Sequence, residues 1–587
     1  MSAKIDWLTS IEKFIVSGDY TSIRAAAREI FELAPNSPDG PLALAEAETY
    51  LSNLESAEFY LEQASAFSVD AKTIASVRKA FVKANIFAKK FAPYSAVRIF
   101  EDFIRSEQIL ADKKKLLAKV KEPTKEERVY FSILERLFCL AVSNYALLGD
   151  AKKCRDTLFL AAELSISNSV TLYSNFLFFS NYRPLTSSEA KRALSFYADL
   201  CKKNSPGEVM YRKDLSGEHT KIRIGYISGV FREHSTLSFL PGLLTNPCPE
   251  EFEVYVYNLG REDAYSRKLR EFKLHWRNLG ALSPRDAALK IAGDHIDILV
   301  DLAGHAEGSA LSVLAYRPAA LQISTLGYFA STGAPFMDYF LADKFIMPLG
   351  KTERFSEKCV SLHKHSALCY TPYELWANEK NAKDTEKTVA IPFQKNGYPT
   401  FLCMQNLLKL SDDLLLLWRK VFDEIEDFKL ILQNKVCSTK EGREFLQRRL
   451  KSLGYKLSQT ELLPFSPDYK NTFEKADIAL DTTPYPGGAT TCEALYAGLP
   501  VITLKGNDPW SRLGASILTA AFADDLIAET PKNYARIMLT LSKNPSKILK
   551  YKENLLKNLK NSRLMDIKGY SKEVFEVYKK LYEENIK

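Results

Sequence analysis

The segment that decides the fold is residues 478–495, which reads IALDTTPYPGGATTCEAL. A short apolar run ends at Asp481, a loop rich in Pro and Gly follows, and helical spacing begins near Ala489. A buried strand that passes through a glycine-containing turn into a helix is typical of nucleotide-binding α/β folds. The segment therefore predicts a strand–loop–helix unit of a parallel sheet.

The loop in this segment has the chemistry of a phosphate-binding turn. Gly487 and Gly488 let backbone N–H groups approach a phosphate closely. The hydroxyls of Thr490 and Thr491 add donors at the helix N-terminus, where the dipole favours negative charge. Glu493, one turn further, is suited to accept from ribose hydroxyls. No Gly-Lys-Ser/Thr follows, so this is not a Walker loop. The alternative is a tight strand-to-helix turn capped by Thr.

Short apolar runs alternate with helical patterns on both sides of the segment 378–387. The first series is Ile222–Ile227, Phe252–Tyr257, Ile296–Leu302, Gln322–Leu326 and Tyr339–Leu341. The second series is Thr400–Met404, Lys429–Leu432, Glu461–Phe465, Ile478–Asp481 and Val501–Leu504. This alternation predicts two Rossmann-like domains that bind a ligand in a cleft at the carboxyl ends of their strands. The charged segment Asn378–Lys387 is interpreted as the linker between them.

The first 200 residues have helical spacing without strand runs. Gly18-Asp19 and Gly149-Asp150 each precede a run with small apolar residues, and Asn53 lies 35 residues after Gly18. Such turns at a spacing near 34 residues match degenerate tetratricopeptide repeats, with an irregular helical bundle as the alternative. The predicted domains are a helical domain (1–205), two Rossmann-like domains (206–387 and 388–565) and a C-terminal helix (566–587).

Composition narrows the class of protein. Of 587 residues, 46% are hydrophobic and 26% charged, which is typical of a globular protein. The net charge of +8 comes from 80 basic and 72 acidic residues and is too weak to predict nucleic-acid binding. The nine Cys form no CxxC pair, which argues against structural zinc and disulfides. With no signal peptide and no run of about 18 apolar residues, we expect a cytoplasmic protein without a membrane span.

Ordered motifs across the chain carry a family resemblance. Residues 478–495 resemble the nucleotide-sugar loop of O-GlcNAc transferase/SPINDLY-like glycosyltransferases, which commonly reads LDTFPYxGTTTTCEAL. Residues 224–234 (IGYISGVFREH) resemble GYVSxDFRxH, and residues 297–305 (DILVDLAGH) resemble DILVDLxGH. Residues 498–504 (GLPVITL) and 511–516 (SRLGAS) follow in the family's order. The resemblance covers roughly residues 220–565, with the N-terminal helices in the place of the family's repeats.

The resemblance implies an α/β GT-B fold and an inverting transferase that needs no metal or other cofactor. It implies transfer of GlcNAc or another hexose from a nucleotide sugar, with UDP as the expected nucleotide, to Ser or Thr of a protein. The acceptor it suggests is a bacterial surface or flagellar protein. The alternatives are transfer to Asn, as in related bacterial glucosyltransferases, and an inactive protein-binding scaffold.

The resemblance also assigns site residues. Lys409, in MQNLLKL, aligns with the family's diphosphate-binding Lys, and Asn406 matches a donor-contact position. His234 is expected at the sugar or acceptor side of the cleft, as general base or beside a donor phosphate that accepts the proton instead. His305 orients the donor or holds its loop. Tyr328 belongs to residues 326–333 (LGYFASTG), which resemble the donor-sugar wall.

The chain departs from the family pattern at several positions. Val230 replaces an acidic residue, and residues 329–330 (Phe-Ala) replace the Pro-Gly of GYPGTTG. Tyr469 stands where a His near the base is common, and residues 488–489 (Gly-Ala) take the place of two Thr. These departures leave the donor open among UDP-GlcNAc, UDP-glucose, UDP-galactose and GDP-fucose.

Overall fold

The computed structural model describes residues 2–107, 123–165, 168–210, 219–272, 274–348, 354–372 and 390–586. The chain forms two compact units. The helical unit comprises residues 1–179, 406–408 and 434–450, and the α/β unit comprises residues 180–405, 409–433 and 451–587. The predicted linker Asn378–Lys387 lies outside the described residues.

The helical unit is built from consecutive helices that pack against one another. Its helices are α1 (Ser2–Ser17), α2 (Tyr20–Leu33), α3 (Asp39–Tyr50), α4 (Leu54–Ser65), α5 (Ile74–Lys89), α6 (Pro93–Ser106), α7 (Lys125–Leu148), α8 (Ala151–Leu164) and α9 (Ser169–Ser180). Two turns share one construction, in which Gly18 or Gly149 takes the left-handed conformation that ends a helix. Asp19 or Asp150 then caps the next helix by accepting a backbone N–H. The predicted helical repeats are confirmed.

Helix α7 is the most apolar long helix of this unit. Among the described residues it alone is long and apolar enough to cross a membrane. Its apolar stretch is 56% buried inside the protein. The core helix of a globular domain has the same length and composition, so this feature is weak evidence for a span.

The α/β unit contains two parallel sheets. The first has the order β3-β2-β1-β4-β5-β6-β7 and the second β10-β9-β8-β11-β12-β13. The strands are β1 (Ile222–Ser228), β2 (Phe252–Asn258), β3 (His275–Asn278), β4 (Ile298–Asp301), β5 (Leu321–Ser324), β6 (Tyr339–Asp343), β7 (Lys358–Leu362), β8 (Thr400–Cys403), β9 (Lys429–Gln433), β10 (Thr460–Leu463), β11 (Ile478–Leu480), β12 (Val501–Leu504) and β13 (Ile527–Ala528). The strand order reverses between β1 and β4 and between β8 and β11, as in doubly wound folds. The prediction of two Rossmann-like sheets is confirmed.

The remaining helices precede, connect or follow these strands. They are α10 (Ser187–Lys203), α11 (Leu240–Leu244), α12 (Ala264–Leu269), α13 (Pro284–Gly293), α14 (Leu311–Leu314), α15 (Pro392–Asn396), α16 (Asp412–Phe422), α17 (Lys440–Ser452), α18 (Ala489–Tyr496), α19 (Leu513–Ala520), α20 (Pro531–Ser542), α21 (Pro545–Lys560) and α22 (Ile567–Asn585). Residues 440–450 of α17 belong to the helical unit. Strands covered by helices on both faces are buried, which explains why most of these strands are predominantly apolar.

Helix α22 packs against the first sheet although it follows the second in sequence. The Tyr339 hydroxyl on β6 donates to Asn585 Oδ1 at 3.0 Å. The Glu573 carboxylate accepts from the backbone N–H groups of His363 at 2.6 Å and Lys364 at 3.0 Å, just after β7. The end of the chain therefore completes the first Rossmann-like half, a pairing that helical periodicity cannot predict.

Candidate active site

The loop after β11 is anchored by one buried carboxylate. Asp481 Oδ1 accepts from the backbone N–H groups of Thr482 at 2.8 Å and Gly487 at 2.7 Å. Its Oδ2 accepts from the Thr503 hydroxyl on β12 at 2.7 Å. Burial raises the pKa of Asp481, although these three donors oppose the change. The carboxylate folds the loop back so that Gly487 lies just before helix α18.

The N-terminus of α18 has polar groups available to a ligand. The helix begins at Ala489, and its cap residue Gly488 has no side chain to occupy the first N–H groups. The Thr490 hydroxyl accepts from Gln405 Nε2 at 2.6 Å. The Thr491 hydroxyl is buried and has no hydrogen-bond partner among the described residues. A buried donor of this kind, beside free helix N–H groups, is suited to a phosphate oxygen.

Lys409 is held against the same loop. Its ammonium donates to the carbonyl of Pro486 at 2.9 Å and to Gln405 Oε1 at 3.4 Å. It also lies 5.0 Å from the ring centre of Tyr485. Burial lowers the pKa of Lys409 to about 8, and the nearby Asp481 partly offsets this change. The structure therefore presents a buried cation beside the N-terminus of α18.

A small pocket opens where β8, β11 and α18 meet. It is lined by Leu402, Met404, Gln405, Phe473, Ala479, Leu480, Asp481, Thr490, Thr491, Ala494 and Val501. This is the carboxyl end of the second sheet at its point of strand-order reversal, where doubly wound folds bind ligands.

Glu493 is already oriented by a neighbouring tyrosine. The Tyr469 hydroxyl donates to Glu493 Oε1 at 2.6 Å. The ring of Tyr469 stacks on Phe465, with ring centres 5.8 Å apart. Phe465 is 57% exposed, which is unusual for a large apolar side chain. Tyr469, which stands at the family's His position, thus fixes the direction of the Glu493 carboxylate.

His234 follows β1 at the carboxyl end of the first sheet. Its Nδ1 lies 3.0 Å from the Thr236 hydroxyl and accepts the backbone N–H of Thr236 at 3.3 Å. Burial lowers the pKa of His234, Arg232 lowers it further and Glu307 opposes both. A backbone N–H can only donate, so this contact favours the neutral ring with its proton on Nε2.

His305 and Tyr328 are interior residues of the first half. His305 is 2% exposed, and its Nε2 lies 2.7 Å from the carbonyl of Thr332. Its ring meets Tyr197 and Tyr328 edge-on at 5.0 and 5.1 Å. Burial lowers the pKa of His305 to about 4, so the ring is neutral and donates to Thr332. Of the two roles expected for His305, this geometry favours holding the loop 326–333.

The loop 326–333 approaches the loop after β11. Burial raises the pKa of Tyr328, and the proximity of Tyr485 and Glu357 contributes to the increase. The Glu357 carboxylate accepts from the Ser331 hydroxyl at 2.6 Å and from the Thr332 N–H at 2.7 Å. Residues from both halves of the α/β unit therefore meet near Tyr485.

The sequence profile of glycosyl transferase family 41 matches residues 174–369 and 403–574, which is more than half of the chain. The chain belongs to glycosyl transferase family 41.

Curated relatives of this family 41 chain include two proteins of Arabidopsis thaliana. The probable UDP-N-acetylglucosamine–peptide N-acetylglucosaminyltransferase SPINDLY is 29% identical over 350 residues, which are 58% of this chain and 37% of that protein. The similarly named protein SEC is 26% identical over 355 residues, 59% of this chain and 35% of that protein. The chain spans about two fifths of the length of the curated relatives it matches.

A solved structure has the same fold. A mutant of the Thermobaculum terrenum O-GlcNAc transferase matches with a TM-score of 0.72 and 23% sequence identity, covering 100% of this chain and 98% of that chain. This match confirms the GT-B architecture, preceded along the chain by helical repeats. At 23% identity, the match shows that the two proteins share a fold.

The site residues expected from the sequence fall into separate groups in this family 41 structure. Lys409 lies with the loop and helix residues 487–491, and Glu493 lies two residues further along α18. Asn406 follows β8 and belongs to the helical unit, where its Oδ1 accepts from the Leu408 N–H at 3.1 Å. No hydrogen bond among the described residues joins His234 to Lys409. Metal-ligand groups of three or more His, Cys, Asp or Glu are also absent from the described part of the chain.

Sequence reasoning missed two residues of the site. Gln405 bridges Lys409 and Thr490, and Tyr485 lies beneath the Lys409 ammonium. The available signals were a polar residue directly after a buried strand and an aromatic residue between two prolines. Neither pattern identifies a partner, because the partner lies about 80 residues away along the chain.

We expect Gly487→Ala to weaken ligand binding at this loop while Gly488→Ala retains it. A Cβ at Gly487 would lie 2.1 Å from Gln405 Nε2 and 2.6 Å from Thr491 Oγ1. At Gly488 the nearest atom, Leu513 Cδ2, is 3.8 Å away. The measurement is the UDP dissociation constant by calorimetry. Equal affinities in the two variants would contradict a binding role for the loop.

Proposed function

We propose that this chain is a glycosyltransferase that moves a sugar from a UDP-sugar to Ser or Thr hydroxyls of a polypeptide. Its family membership supports the transferase class, and the names of its plant relatives give UDP-N-acetylglucosamine as donor and peptide as acceptor. The observation that carries the proposal is the buried Lys409 ammonium beside the N-terminus of α18.

The diphosphate of the donor is bound by Lys409, by the first N–H groups of α18 and by the Thr491 hydroxyl. The acceptor oxygen forms a bond to the anomeric carbon while the bond from that carbon to the β-phosphate oxygen breaks. Nucleoside diphosphate leaves with the bonding electron pair. Preorganised donors aimed at this developing charge contribute several kcal/mol, which is about the loss measured when one such donor is removed. In this scheme no metal ion or other cofactor is required.

Glu493 binds the ribose hydroxyls of the donor, with Tyr469 holding the carboxylate in place. Charge-assisted hydrogen bonds from ribose hydroxyls are short and directional, so an oriented acceptor lowers the cost of ordering the ligand. Tyr328 and the loop 326–333 border the sugar. The short contact between Tyr469 and Glu493 supports this assignment.

His234 acts as a hydrogen-bond donor through Nε2–H on the sugar or acceptor side, and a donor phosphate oxygen accepts the hydroxyl proton. The support is the backbone N–H of Thr236, which occupies Nδ1 as an acceptor. We further propose that the helical repeats help to hold a cytoplasmic protein acceptor, since stacked repeats form extended surfaces that bind other chains.

Thermal unfolding with UDP or GDP tests the donor class. At 100-fold over its dissociation constant, a ligand that binds only the folded state stabilises it by about 2.7 kcal/mol. We expect this stabilisation with UDP, little with GDP, and its loss in Lys409→Ala. Stabilisation by GDP alone would change the donor to a GDP-sugar. Stabilisation by neither nucleotide would contradict the transferase and favour a binding scaffold.

A further inference from the structure

The turn at Asn181 and Tyr182, which opens the six-residue connection between α9 and α10, reaches the site from a part of the chain where the sequence predicts only helices. Asn181 and Tyr182 follow Ser180, the last residue of α9, and belong to the α/β unit. The ring of Tyr182 stacks on the ring of Tyr485, with centres 4.7 Å apart and planes 18° apart.

The Tyr485 ring is the same ring over which the Lys409 ammonium lies, 5.0 Å from its centre. The next residue, Pro486, provides the carbonyl that accepts from Lys409 at 2.9 Å. Both contacts of the ammonium with the loop therefore depend on where the Tyr485–Pro486 segment lies. Tyr182 is the aromatic side chain that stacks flat on this segment.

Asn181, the residue before Tyr182, lies near Tyr328 of the other loop. It is 4% exposed, its side chain partly opposes the burial that raises the pKa of Tyr328, and its Nδ2 has no hydrogen-bond partner among the described residues. The turn thus stacks on one of the two loops through Tyr182 and lies near the other through Asn181. A segment that lies beside both loops is suited to fix their positions, as supporting residues do in preorganised sites.

We propose that Tyr182 is a positioning residue for Lys409, which it places against the donor diphosphate by stacking on Tyr485. This inference rests on the proposed function, because it assigns a binding role to Lys409. Stacked aromatic pairs and cation–π contacts each contribute modestly, and here one ring takes part in both. Tyr182 is only partly buried, so its replacement does not open a cavity in a core.

The test compares Tyr182→Leu, Tyr182→Phe and Tyr20→Leu with the wild type. Tyr20 is the matched control, because it stacks on Tyr50 at 4.9 Å and 3° within the helical unit. The probe is UDP, with its dissociation constant measured by calorimetry and the folded state checked by thermal unfolding. We expect Tyr182→Leu to weaken UDP binding about tenfold, from the lost stacking and the displaced cation. Tyr182→Phe and Tyr20→Leu should stay within about twofold, since both leave the Tyr485 contacts in place.

The pH dependence of UDP binding separates positioning from general packing. Burial lowers the pKa of Lys409 to about 8, while Asp481 and Cys403, the charged and titratable groups that act on it, oppose the change. UDP binds the protonated amine, so wild-type affinity is present below this pKa and decreases as pH rises through about 8. In Tyr182→Leu water reaches Lys409, and the midpoint should move upward toward the ordinary lysine value of about 10.4.

Two results would overturn the inference while leaving the proposed function intact: UDP affinity and pH midpoint unchanged in Tyr182→Leu, or equal losses in Tyr182→Phe and Tyr182→Leu. The double variant Tyr182→Leu/Tyr485→Leu gives a further check, because two residues that act through one contact have non-additive effects. Additive losses would count against the inference. Failure of the wild type to bind UDP would instead refute the proposed function, and the inference with it.

Discussion

Replacing Lys409 with Met is expected to lower kcat/KM about 1000-fold, the scale of removing one preorganised donor to a developing negative charge. Methionine keeps an unbranched side chain of similar length, so the packing around Tyr485 is retained. Asp481 keeps its three hydrogen bonds from Thr482, Gly487 and Thr503 in the variant. The loss should therefore reflect the missing ammonium and not an unfolded loop.

The measurement is the rate of sugar transfer to a peptide acceptor, compared with the rates of the wild type and of the control variant Lys550→Met. Lys550 is an exposed lysine on α21, and its replacement should leave the rate unchanged. A Lys409→Met enzyme that kept more than about a tenth of the wild-type rate would refute transition-state stabilisation by this residue, since a preorganised donor contributes at least 100-fold.

Replacing His234 with Ala is expected to lower kcat about 100-fold, because the sugar or acceptor loses a positioned N–H donor. His234→Gln should recover part of this loss, since the glutamine amide provides an N–H at a similar distance from the backbone. The control is His275→Ala. His275 is an exposed residue of the edge strand β3, and its ring stacks on Tyr255.

The pH profile distinguishes a donor from a general base at His234. Burial lowers the pKa of His234 below the ordinary histidine value of about 6.5. If the neutral ring were the base, activity would fall as pH decreases through that lowered pKa, and His234→Gln would lose this acid limb. We expect no such limb, because Nε2–H is present in both the neutral and the protonated ring. An acid limb that disappears in His234→Gln would assign the general base to His234.

The sequence was sufficient to predict the sheets because most strands are buried on both faces. Strands such as β4 (ILVD) and β11 (IAL) are apolar over three consecutive buried residues, and such runs alternating with helical patterns are characteristic of parallel sheets. The edge strand β3, His275–Asn278, was missed because it reads HWRN and its residues are half-buried or exposed. Edge strands with charged and polar residues lack the apolar signal on which such predictions depend.

Within the site, the sequence pointed to the right segments but not to their contacts. The spacing of glycines and threonines in residues 487–491 predicted a ligand-binding helix N-terminus because these residues are adjacent in the chain. The sequence left two roles for His305, orienting the donor or holding the loop 326–333. Its burial and its hydrogen bond to the Thr332 carbonyl favour the second role. An isolated histidine has no local pattern that reports its burial.

Local sequence thus determined the strand–loop–helix segment 478–495, the Rossmann-like alternation and the helical repeats, since each follows from neighbouring residues. Tertiary structure alone decided that Gln405 bridges Lys409 and Thr490, that helix α22 returns to the first sheet, and that Tyr182 stacks on Tyr485. The contacts of Gln405 with Thr490 and of Tyr339 on β6 with Asn585 on α22 join residues 85 and 246 positions apart. Only the packing of whole elements brings such residues together, and no periodicity in the chain encodes it.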